Sequence, residues 1–130
     1  MSETRVLLDP IHVLGTYVFC SLPFDSDLQG AAPVVTVRET EGLSVVVTDE
    51  EARARGWTIL YRAAWIRFGL VSALDAVGLT AGVSQALAAA GISCNMVAGA
   101  YHDHVFVPVE RASEALRLLQ QFKVPVANNA

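Results

Sequence analysis

Charge is scarce in this sequence. Asp, Glu, Lys and Arg make up 17% of its 130 residues, where an ordinary soluble domain carries about 25%. Positive charge is the scarcer sign, with nine Lys and Arg against 13 Asp and Glu and a net charge of -4. The basic residues are scattered, and only Arg53 and Arg55 lie close together. A surface that tracks phosphates needs clustered positive charge, so no nucleic-acid partner is expected. There are two cysteines, Cys20 and Cys94, and no C-x-x-C pair. That argues against a zinc ribbon or a thioredoxin-like site, and both thiols read as reduced core residues. No apolar run approaches the ~18 residues needed to cross a bilayer, so no membrane partner is expected. The start, Met1-Ser2-Glu3-Thr4-Arg5, lacks the pattern of a signal peptide. A soluble cytoplasmic protein is the expectation.

What is abundant is apolar sequence, 53% of the chain. That excludes disorder. With so little charge, some apolar surface is expected to be covered by a second copy of the chain, which predicts a homodimer.

The order of elements can be read from local chemistry. Thr16–Leu22 is β-branched and aromatic and reads as a strand. Residues 23–33 hold Asp25, Ser26, Asp27, Gly30 and Pro33, which is loop chemistry. Val34–Arg38 and Leu43–Val47 read as strands. Thr48-Asp49-Glu50-Glu51 is a capping box opening a short helix that stops at Gly56. Trp57–Val71 reads as one or two strands with a break near Ala63-Ala64. Leu79, Val83, Ala86, Leu87 and Ala90 recur at helical spacing before Gly91. Ile92–Ala98 and His104–Val107 read as strands flanking a turn. Ala112, Ala115, Leu116 and Leu119 form the stripe of a further helix. Lys123–Val126 supplies a last edge strand, and Asn128–Ala130 should fray.

From Trp65 onward the order is β-α-β-β-α-β, the ferredoxin-like α+β plan. Its helices lie on one face of an antiparallel sheet, and the other face wants a partner. The front half echoes the back. Val45–Glu50 enters a helix as Val105–Glu110 does 60 residues later, whereas Val18–Leu22 and Arg67–Val71 are 49 residues apart. The shortfall is about three helical turns. So the first copy reads as the same unit with its first helix lost into residues 23–33. The expected division is 1–62 for this abbreviated unit and 63–130 for the complete one.

Three stretches could carry chemistry. Gly78-Leu79-Thr80-Ala81-Gly82 enters the first turn of the strong helix. Such a start has unpaired N–H groups and suits a carboxylate, with both glycines allowing close approach. Its plain alternative is a start capped by Thr80, with Gly82 present for packing. Asn95 is the one amide in an apolar strand that includes Met96 and Val97. It could bind an amine and carboxylate together or merely satisfy neighbouring backbone. Tyr101-His102-Asp103-His104 could be a turn, a ligand contact or a metal site. Strand spacing of His102 and His104 would place both rings on one face. No third ligand lies nearby in sequence, no metal or cofactor is expected, and no catalytic triad can be assigned.

The stretch from Gly78 to Ser93 (GLTAGVSQALAAAGIS), followed by Asn95 and by His104–Pro108, resembles the ACT domains of aspartate kinase. Gly15–Cys20, Arg38–Val47 and Tyr101–His104 are similar to tandem ACT proteins of bacteria and to the ACT pairs of the cytosolic arginine sensors called CASTOR. The resemblance spans roughly residues 8–122 and implies two ACT-like units, the first abbreviated. It implies a non-catalytic protein that binds a small amino acid or related metabolite where ACT units meet. The positions implied are Gly78, Leu79, Thr80 and Ala81 of one unit, and Asn95, Met96 and Val97 of another. Tyr101, His102 and His104 are candidate additional contacts to which the resemblance gives no role. The alternative is an interaction module with a vestigial site and a protein partner.

Overall fold

The clearest local code brackets a short helix. Thr48 accepts a hydrogen bond from the Glu51 N–H at 3.2 Å, three acids occupy the first turn, and Gly56 ends the helix at φ 68°. Each element of that code is the expected one. A computed structural model describes residues 5–125. In chain order its elements are β1 (Arg5–Leu7), β2 (Pro10–His12), β3 (Tyr17–Leu22), β4 (Val35–Arg38), β5 (Leu43–Thr48) and α1 (Asp49–Arg55). There follow β6 (Tyr61–Phe68), α2 (Leu79–Ala89), β7 (Asn95–Ala98), β8 (Asp103–Pro108), α3 (Ala112–Gln121) and β9 (Lys123–Pro125). The contacts divide the chain into two units. One is Leu14–Ala64, and the other joins the stretch ending at Val13 to the chain from Trp65 onward.

In the unit Leu14–Ala64 the strand order is β4-β5-β3, with the first half of β6 pairing beyond β3. Period-two alternation sends Val18, Cys20, Leu22, Leu43, Val45 and Val47 to one face, where they pack with Ala52 of α1. Residues 23–34 form no helix. Leu28, Trp57 and Ile59 pack against the core cluster. Arg55 holds the loop by donating to the carbonyls of Leu28 (3.0 Å) and Gln29 (3.1 Å). The lost first helix expected from the repeat offset is therefore found as an arginine-clamped loop.

In the other unit β8 pairs with β6 and with β7. Val83 and Leu87 of α2 and Ala115 and Leu119 of α3 are fully buried, as are Ile66, Phe68, Val105 and Val107. Burial of each large side chain stabilises the fold by about 1.5–3 kcal/mol. The ferredoxin-like α+β plan is thus present, with both helices over one antiparallel sheet.

Several expectations change. β6 runs unbroken through Ala63 and Ala64, both fully buried, because neither residue interrupts strand pairing. The strand after α2 begins at Asn95, not Ile92. Gly91 turns at φ 72°, Ile92 binds back to the Leu87 carbonyl at 2.9 Å and plugs the core, and only then does pairing begin. β8 begins one residue early, at Asp103. Leu116 is half-buried rather than central to its stripe, and a 3-10 turn, Val109–Arg111, precedes α3. Cys94 is half-buried, unlike the buried Cys20. Burial raises the pKa of both thiols, which keeps them protonated at neutral pH.

The largest departure is at the N-terminus. β1 and β2 carry no alternation long enough to read, yet β2 pairs antiparallel with β6, Ile11 opposite Arg67. It takes the place beside β6 where the last strand of a βαββαβ unit would lie. The expected edge strand, β9, pairs instead with β1; its predicted last residue, Val126, lies outside the described residues, as do 128–130.

Candidate functional site

The loop after β6 enters α2 through Gly78. This residue adopts φ 103°, a left-handed conformation that favours glycine, and a Cβ built on it would meet open space. No side chain caps α2, and its first turn holds no acid. Thr80 is therefore not the cap. Leu79 is half-buried, while Thr80 and Ala81 are exposed. The first N–H groups of this helix carry partial positive charge that no side chain has neutralised. Gly82 takes the packing role of the plain alternative and not the ligand-facing one. A Cβ there would lie 2.7 Å from the Phe122 ring, so this glycine lets Phe122 pack against α2 rather than a ligand approach it.

The register of β7 on β8 separates the second set of candidates. Met96 pairs with Val105 and shares the helix-covered face. Asn95 pairs with Phe106 and Val97 with His104, on the opposite face. Asn95 is exposed, and β7 is the edge of the sheet order in this unit. On that opposite face Trp65 stacks on Phe106, with ring centroids 6.1 Å apart. The centre of the face is thus covered by the unit's own aromatics.

The Tyr101–His104 segment is tied to the α2 approach loop. Ser72 donates its backbone N–H to the Tyr101 carbonyl at 3.0 Å and its hydroxyl to the Asp103 carboxylate at 2.6 Å. Asp103, the one buried charged residue among the described residues, is thereby partnered. The turn itself closes with the Gly99 N–H donating to the His102 carbonyl at 2.8 Å. His102 lies in that turn, one residue before the strand, so the strand spacing assumed for His102 and His104 does not hold. His102 Nδ1 is buried without a hydrogen-bond partner.

His104 accepts at Nδ1 from the Trp65 indole N–H at 3.0 Å. That bond requires an unprotonated Nδ1. Burial holds the ring below its usual pKa of 6.5; His102 and Arg67 add to the shift and Asp103 opposes it. A Cβ on Gly99 would sit 3.3 Å from Nε2, so the ring lies against this glycine. No group of three or more His, Cys, Asp or Glu that could hold a metal occurs among the described residues.

The structure therefore gathers the α2 approach loop and Tyr101–His104, while Asn95 and Val97 face away from the helices. Sequence reasoning missed Ser72 and Trp65, which hold the turn, and three exposed apolar residues of the approach loop. Val71, Leu74 and Val77 are 65%, 69% and 97% exposed, and Tyr101 beside them is 69% exposed. The low overall charge was the only signal for them.

Comparison with known proteins also divides the chain in two, but counts β2 with the first half. The ACT domain family matches residues 7–64 and, separately, residues 61–121. A search of curated proteins returned no match. Among solved structures, a Vibrio cholerae protein of unknown function, described as a possible transport protein, is 40% identical. It aligns over 89% of this chain and 90% of its own, with a TM-score of 0.82. A ligand-free regulatory subunit of aspartate kinase from Thermus thermophilus is 16% identical and aligns over 95% of this chain and 100% of its own, with a TM-score of 0.68. The corresponding subunit from Thermus flavus, 15% identical, aligns over 88% and 97%, with a TM-score of 0.65. Two successive matches, on a chain whose two units repeat one strand order, mean that this chain belongs to the ACT domain family of small-molecule regulatory domains, as a tandem pair.

Proposed function

We propose that this chain is a non-catalytic cytoplasmic regulatory protein that binds an amino acid or a closely related metabolite. The ligand carboxylate lies on the open N–H groups of Leu79, Thr80 and Ala81, with Gly78 allowing close approach. Asn95, Met96 and Val97 of an ACT unit in a second copy complete the site, so the binding form is a homodimer. The uncapped, acid-free start of α2 is the observation that carries this reading.

A thermal-shift screen across the twenty amino acids tests it. At least one should raise the melting temperature, and Thr80→Glu should abolish that response. A carboxylate in the first turn favours the helix but repels a ligand carboxylate. Absence of any response in the wild-type chain contradicts the reading.

The exposed loop of Val71, Leu74 and Val77 favours a second reading, in which this end docks another protein. Co-purification of a stable partner that is lost in Leu74→Asp, with no amino-acid response, would favour it.

A further inference from the structure

The abbreviated unit holds an open cavity between the end of its loop and α1. In the complete unit α2 lies against α3, close enough for Gly82 to meet Phe122. In the unit Leu14–Ala64, α1 corresponds to α3, and the segment corresponding to α2 is the loop 23–34. Arg55 clamps that loop at Leu28 and Gln29. The loop returns to the sheet at Val34, whose N–H donates to the Val46 carbonyl at 2.8 Å. Between this return and α1 lies a cavity of about 510 Å³, lined by Tyr17, Ala32, Val34, Val47, Thr48, Glu50, Glu51 and Ala54. Its size falls within the roughly 300–1,000 Å³ of small-molecule sites.

The lining is chemically asymmetric. Ala32, Val34, Val47 and Ala54 offer aliphatic surface, and Tyr17 an aromatic side chain. The carboxylates lie on one side, on α1. Neighbouring cations neutralise most of the acidic first turn. Asp49 pairs with Arg53 and Arg62, and Glu51 with Arg55. Glu50 has no ion pair among the described residues. The Thr48 hydroxyl is already engaged by the Glu51 N–H. An occupant therefore meets apolar walls and one uncompensated carboxylate. A cation with a short hydrocarbon body matches both, whereas a free carboxylate would be repelled by Glu50.

The geometry points to a second ligand site in the abbreviated unit: the open cavity between the loop's return and α1 binds a small alkylammonium cation, its ammonium on Glu50 and its chain against Ala32, Val34, Val47 and Ala54. The site is independent of the α2 start, since it uses none of that site's residues and selects the opposite charge.

Titration of the full chain with n-butylammonium chloride, followed by amide NMR, tests the proposal. n-Butanol and butyrate serve as neutral and anionic matches at equal ionic strength. Saturable shifts are expected at Ala32, Val34 and Thr48–Ala54, with n-butanol about tenfold weaker, the factor that one charge-assisted hydrogen bond supplies. Butyrate should leave these amides unmoved. Glu50→Gln should weaken the ammonium about tenfold and bring it level with the alcohol. Ala54→Trp should fill the cavity and remove the response. Glu50 and Ala54 are exposed, so both variants should keep the wild-type spectrum elsewhere. A non-saturable response, one centred on Leu79–Ala81, or equal affinity in Glu50→Gln would each overturn the site.

Discussion

The two units use one strand order and differ in what covers it. In the unit built from Trp65 onward, α2 lies beside α3 and buries Val83 and Leu87 completely. In the unit Leu14–Ala64 the matching segment is a loop, pinned by one arginine and plugged by Leu28. The sheet survives the loss because its core face is closed by α1 and by Leu28, Trp57 and Ile59. The helix starts differ as well. α1 has a threonine cap and three acids, whereas α2 has neither. One helix start is finished by its own side chains, and the other has neither a side-chain cap nor an acid. Strand order is thus the shared inheritance of the pair, and the helix layer is where the units have diverged.

That difference can be broken most severely at Leu87. Leu87→Ala should cost about 2–5 kcal/mol in chemical denaturation, because it opens a cavity in a helix-covered core. Phe24→Ala, in the loop that replaces the corresponding helix, should cost under about 0.5 kcal/mol, because Phe24 is 55% exposed. Equal costs would mean that the loop packs as a helix does.

A smaller effect is expected where α2 meets α3. Gly82→Ala should destabilise by about 1–3 kcal/mol by overpacking against Phe122. Gly82→Ala combined with Phe122→Leu should recover part of that loss. Without recovery, the cost would lie elsewhere than in the Phe122 contact.

Much of this contrast could be read before any coordinates. Thr48, the acids after it and Gly56 act on their own backbone, so their meaning is local. Val18–Leu22 and Leu43–Val47 announce themselves by alternation, and the repeat offset located the missing helix. The rest depended on pairing between distant segments. Pro10–His12 is too short to show a period, and its place beside β6 follows from tertiary pairing. Asn95 and Met96 are neighbours in sequence yet face opposite ways, because the register on Phe106 and Val105 decides it. The turn at His102 is similar. Its ties run to Ser72, some thirty residues earlier, through a bond that no local pattern announces.

The smallest expected effect is electrostatic and belongs to the complete unit, since its counterpart has no histidine. His104 titrates below its usual pKa of 6.5 because of burial. The unfolded chain therefore binds a proton first as pH falls. The resulting stability is fully present above about pH 6.5 and is lost as pH falls through the lower folded value. Denaturation midpoints measured from pH 8 to pH 5 should show this component, and His104→Phe should remove it. An unchanged pH profile in that variant would assign the acid sensitivity to other groups.

The central claim is that the open start of α2 receives the carboxylate of an amino acid. Amide NMR during titration with the amino acid that gives the largest thermal shift addresses it most directly. Saturable shifts of the Leu79, Thr80 and Ala81 amides, absent in Thr80→Glu, are expected. Saturable binding that leaves those three amides unmoved would contradict it.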